Sequence, residues 1–162
     1  MAKTSRDPLA PPPLRRGPAV LIVLGTLLAP AAHAGLGEAV ASVSRDQTAL
    51  RATTLAVTPM QAYDVHEITT ADGTHVRQYV SRAGTVFAVA WSGRSLPDLK
   101  VVLASHYGEY LTAASAHHYN HHVLNVVTPG LVLNVTRLPR GFAGGAHVPA
   151  LLPAGTSVQE LR

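Results

Sequence analysis

Four histidines crowd into the six residues His117-His118-Tyr119-Asn120-His121-His122. On a helix, His117 and His121 stand one turn apart, as do His118 and His122, so each pair offers two imidazoles to one metal ion. Neutral imidazole suits zinc, copper and nickel. No carboxylate adjoins the run; His106 and Glu109 lie upstream of it. The bland alternative is a solvated connector between a helix and a strand. Clustered imidazoles would also gain charge and repel one another below about pH 6.5. A divalent metal is the one cofactor for which the residues give any cue.

A second group is Arg77, Tyr79 and Trp91, which fall on neighbouring strands. If exposed, Arg77 and Trp91 form a binding patch of the kind that anchors interfaces. If Trp91 is core, Arg77 instead pairs with a cross-strand acid, Glu67 or Asp64. No catalytic residue is assigned and enzymatic activity is left open. The chain has no G-x-S-x-G elbow and no H-E-x-x-H, and His66-Glu67 lacks the second histidine. It has neither G-x-G-x-x-G nor G-K-[ST], so no nucleotide cofactor is expected. With 0 cysteines, disulfides, thiol catalysis and cysteine-bound zinc are excluded.

The 162 residues suggest one domain. At 47% hydrophobic and 14% charged, the chain is too apolar to stay unfolded. The formal charge of +4 suggests nucleic acid until the charges are located. Lys3, Arg6, Arg15 and Arg16 precede residue 20, and from Gly35 onward nine Lys/Arg face eight Asp/Glu with no basic stripe. Nucleic-acid binding is not expected.

Residues 1–34 read as a cleavable secretory signal. A basic segment with Arg15-Arg16 leads into the apolar Ala19–Ala29, and Ala32-His33-Ala34 supplies small residues at the two positions that signal peptidase inspects. The apolar stretch is too short for a span, which needs about 20 residues. Cleavage after Ala34 would leave a periplasmic or secreted protein with no membrane span.

Residues 35–61 read as an N-terminal segment, with Ser44 and Gln47 as a capping box for a short helix and Ala52–Pro59 as linker or edge. Residues 62–162 form the domain proper. Tyr63–Ile68, His75–Val80 and Val86–Trp91 read as strands joined at Asp72-Gly73 and Ala83-Gly84. In the third, Phe87, Val89 and Trp91 fall on one face and Val86, Ala88 and Ala90 on the other. Ser95, Pro97 and Asp98 open a helix with an apolar stripe from Leu99 to Leu111. Val123–Thr128, Leu131–Thr136 and Phe142–Val148 read as further strands, the last interrupted by Gly144-Gly145. The expected fold is α+β: an antiparallel sheet in the order βββ-α-βββ with one main helix packed on it.

The run from Asp72-Gly73 through Val76-Arg77, Tyr79-Val80, Gly84, Val86-Phe87-Ala88-Val89, Trp91 and Gly93 to Pro97-Asp98-Leu99 resembles the exported bacterial proteins grouped as domain of unknown function 2844. Gly145, Pro149, Pro153 and Gly155 are similar too. The resemblance implies a secreted or periplasmic protein with no assigned activity, so no catalytic residue carries over. Gln78 stands where that pattern commonly has an acid, Arg94 where it has proline, and Ala104-Ser105 where it has glycine; the His-rich run is outside it. The functional expectation is a non-enzymatic envelope module that binds another protein or a small ligand. The alternatives are a metal binder using His117, His118, His121 and His122, and a small hydrolase with an unrecognised site.

Overall fold

Two loops of the same chemistry frame the first half of the sheet. The computed structural model describes residues 35–116 and 122–161. In it β2 (Tyr63–Thr70), β3 (His75–Ser81) and β4 (Val86–Gly93) follow one another in sequence. Gly73 N–H donates to Thr70 O at 3.0 Å and Gly84 N–H to Ser81 O at 2.8 Å. In these two turns only the glycines take positive φ, 82° and 79°; Asp72 does not. Each loop is a turn closed by a left-handed glycine, the longer hairpin solution.

The sequence-based order βββ-α-βββ is corrected at its start. β1 (Ala52–Pro59) pairs antiparallel with β2 from Ala52↔Thr70 to Pro59↔Asp64. Thr53 to Pro59 are all exposed, so no period-two alternation marks the segment as a strand. A short helix, α1 (Val43–Ala49), precedes it. Ser44 lies inside that helix and not at its N-cap, and its Oγ donates back to Ala41 O at 3.4 Å.

The main helix is also two helices, α2 (Leu99–Leu103) and α3 (Tyr107–Ala116). Of the three residues expected to open it, Asp98 is the cap of the first, accepting from Lys100 N at 2.9 Å. The break falls at Ala104, with φ 45°. There the N-terminal segment presses in: Leu36 N–H takes the Val102 carbonyl at 3.0 Å. Gly35 lies so near that a Cβ on it would stand 2.4 Å from Val101 O. A carbonyl engaged from outside is lost to the helix ladder.

The helices carry the chain from the middle of the sheet to its far edge. From there β5 (Val123–Val127), β6 (Val132–Leu138) and β7 (Gly141–His147) step back until β7 lies beside β4. The sheet has seven antiparallel strands in the order β1-β2-β3-β4-β7-β6-β5. The full order is thus α-ββββ-αα-βββ, still an α+β fold. One face bears the main core: Ile68, Val76, Val89, Trp91, Leu133 and Ala146 under Leu36, Val43, Val102 and Leu103. A register shift at Tyr79/Val80 bulges β4. It sends Val86 to this core and Phe87 to the opposite face, against the alternation expected from sequence. Among the described residues no helix is long and apolar enough to cross a membrane.

Candidate functional site

The face away from the helices is covered only in part. Tyr63, Tyr79 and Phe87 cluster there with ring centroids 5.6–6.2 Å apart. Leu152 and Leu161 of the C-terminal segment pack on them. Beyond this cluster the side chains shrink. One row of register partners crosses six strands as Glu67, Arg77, Ala90, Gly145, Asn134 and Asn125. The next reads Thr69, His75, Ser92, Ala143, Thr136 and Val123. In both, the ends are mostly polar and the two central strands carry almost no side-chain bulk.

The result is a trough of about 720 Å³ whose floor is β4 and β7 themselves. Ala90, Ser92, Ala143 and Gly145 leave that floor low. His75 and Arg77 stand on one wall, Asn134 and Thr136 on the other, and Val158, Gln159 and Leu161 close one side. The volume lies within the range of small-molecule sites, about 300–1,000 Å³.

The walls are ordered by their own bonds. Arg77 Nε donates to Glu67 Oε1 at 2.7 Å, both side chains about half exposed, and the carboxylate raises the guanidinium pKa. His75 Nδ1 lies 3.2 Å from Thr69 Oγ1. Across the trough Asn134 Nδ2 donates to Asn125 Oδ1 at 2.5 Å, and Asn134 Oδ1 accepts from Thr136 Oγ1 at 3.2 Å. Burial lowers the His147 pKa, which favours a neutral imidazole in the wall. Burial also raises the Tyr79 pKa, holding its phenol neutral. Such a site offers hydrogen bonds and one paired cation around an apolar floor.

The model of a family of proteins of unknown function, DUF2844, matches residues 32–161. The chain belongs to that family. No curated protein and no solved structure matches it. The match takes in both stretches that carried the resemblance, Asp72 to Leu99 and Gly145 to Gly155, with β1 to β7 and the C-terminal segment.

In this DUF2844 chain the two residues of the expected patch are held apart by the sheet. Val76↔Trp91 and Arg77↔Ala90 are register pairs, so successive residues face opposite ways. Trp91 is 3% exposed and belongs to the helix-side core. Gly144 makes room for its indole: a Cβ there would stand 2.9 Å from Cζ2 and 2.2 Å from Asn134 O. Trp91 bounds the trough but does not offer its ring to it, and Nε1 has no hydrogen-bond partner among the described residues. Arg77 takes Glu67, and Asp64 goes to Arg82 at 2.8 Å.

His117, His118 and His121 lie outside the described residues. His122 is exposed, and its carbonyl accepts from Arg137 N at 2.8 Å. Among the described residues no group of three or more histidines and carboxylates is arranged to hold a metal. His106 and Glu109 serve a clip: His106 Nδ1 lies 3.4 Å from Glu109 Oε2, and the other carboxylate oxygen accepts from Thr128 Oγ1. The Thr128 bond holds the Glu109 carboxyl below its ordinary pKa.

A further polar group on the helix side escaped the sequence reading. Gln78 Nε2 donates to Asp46 Oδ2, and both residues are buried. Burial pushes the Asp46 carboxyl up to about 7, against the pull of the Gln78 bond. His66 is the register partner of Gln78 on β2 and is held neutral by burial. Its Nδ1 and Gln78 Oε1 have no partner among the described residues.

Proposed function

We propose that this DUF2844 chain is an exported, non-enzymatic binding protein that takes a small, largely apolar molecule with a hydrogen-bonding or anionic end into the trough. The observation that carries this reading is the central row, in which Ala90 and Gly145 lie between Arg77 and Asn134. Small-molecule pockets are concave and mostly apolar with a few fixed polar groups, and the trough has that make-up. The apolar floor would take the body of the ligand, and Arg77 and His75 would meet its polar end.

Export is supported by the leader with its Ala32-His33-Ala34 site, and the family match begins at residue 32, beside the expected cut. Protein recovered from its native host should begin at Gly35 by N-terminal sequencing; a cytosolic product beginning at Met1 would refute export. The trough is tested with anilinonaphthalene sulfonate, an apolar dye with an anionic end. Saturable one-to-one fluorescence enhancement is expected, and Ala143→Phe, which fills the floor, should weaken it at least ~10-fold. Unsaturable binding, or binding unchanged in that variant, would remove the reading.

A further inference from the structure

We propose that the chain pairs with a second copy of itself through β1, as an antiparallel strand pair with its two-fold axis at Ala56. β1 is the outer strand of the sheet and bonds to β2 on one side only among the described residues. Such a strand presents a row of backbone donors and acceptors, and proteins ordinarily blunt it with lysines, inward charges or a covering element. Among the described residues no element covers this strand, and Ala52-Thr53-Thr54-Leu55-Ala56-Val57-Thr58-Pro59 carries no charge and is exposed from Thr53 onward; the register shift at Ala52/Thr54 and Pro59 interrupt it only at its two ends. The opposite edge, β5, is shorter, with five residues against eight.

The occupant follows from the self-complementarity of the strand. Leu55 and Val57 point to the helix side, in register with Ile68 and His66. They are 39% and 53% exposed, more than a single copy requires of two apolar residues side by side. With the axis at Ala56, Leu55 of each copy lies opposite Val57 of the other, and both apolar pairs close together. On the opposite face Thr54 meets Thr58, a favourable cross-strand pair. Pro59, which has no N–H, falls at the end of the ladder, where its missing donor costs least. Pairing one uncharged segment with its own copy also brings no like charges together. An unrelated peptide would gain the same backbone bonds, but nothing in β1 selects its side chains.

The absence of cysteine gives a direct test. In an antiparallel pair, directly opposed Cα atoms stand about 4.5–5.5 Å apart, within disulfide reach. Ala56→Cys should therefore cross-link two copies under mild oxidation. Thr53→Cys should not, because the two copies of that residue would lie about 20 Å apart along the strands. By sedimentation from about 1 to about 300 µM, the unmodified protein should dimerise, and Val57→Lys should raise the dissociation constant at least ~10-fold. Val127→Lys on β5 should leave it unchanged and controls for added surface charge. A chain that stays monomeric throughout would overturn the proposal and leave β1 to a strand from another protein. Equal cross-linking at both cysteines, or a dimer indifferent to Val57→Lys, would overturn it as well.

Discussion

The two faces of one sheet have been built to opposite rules. Under the helices, Val76, Val89, Trp91 and Leu133 fill the space between strand and helix, and all four are buried. Across the same backbone, β4 and β7 turn Ala90, Ser92, Ala143 and Gly145 away from the helices. On the first face, volume holds the fold together, because apolar area leaves water at about 25 cal/mol per Å². On the second, volume has been withheld where it would be easiest to add. That withheld volume is the space the proposed ligand would fill.

The largest effect should come from emptying the filled face. Trp91→Ala should cost about 3–5 kcal/mol in urea unfolding. A loss under about 1 kcal/mol would mean that the indole is not the keystone its burial suggests.

Next is the charge hidden beneath α1. Asp46 has a folded pKa near 7 against an ordinary 3.8, so the fold favours its neutral form. The stability this gives is complete below about pH 4 and is lost as pH rises through about 7, falling by about 1.4 kcal/mol for each pH unit between those limits. Asp46→Asn keeps an acceptor for Gln78 and removes the ionisation. It should stabilise the protein at pH 8 by about 1–3 kcal/mol and flatten the slope between pH 4 and 7. An unaltered slope, measured by unfolding at several pH values, would place the titration elsewhere.

The smallest effect belongs to the open face. Ala143→Phe should change stability by less than about 1 kcal/mol while weakening dye binding at least ~10-fold. If it unfolds the protein as Trp91→Ala does, the contrast between the faces disappears.

Much of the fold was legible in the sequence. The strands from Tyr63 to Gly93 stand out by pattern, β3 by alternation and β4 as a continuous apolar run, and Gly73 and Gly84 mark their turns. β1 was legible only as a linker or edge segment and proves to be the edge strand; its side chains, exposed on both faces, carry no period. The break at Ala104 was hidden too, since the apolar stripe runs through it and its cause, Leu36 on the Val102 carbonyl, lies far away in sequence. The trough was the least visible feature. Ala90 and Gly145 are small residues in two strands widely separated along the chain, and only the β4–β7 register joins them. In sequence, Gly144-Gly145 looks like an interruption; in the sheet, Gly144 admits the Trp91 ring and Gly145 lowers the floor.

The placement of β7 has a consequence for synthesis. β4, apolar on both faces, acquires its second neighbour only when the last strand is made. A ribosome that has delivered everything up to residue 140 has produced β1–β4, with the greasiest strand at the rim, and a β5–β6 hairpin not yet joined to it. Nascent or truncated chains ending there should be the most aggregation-prone species of this protein, and those most dependent on a holding chaperone.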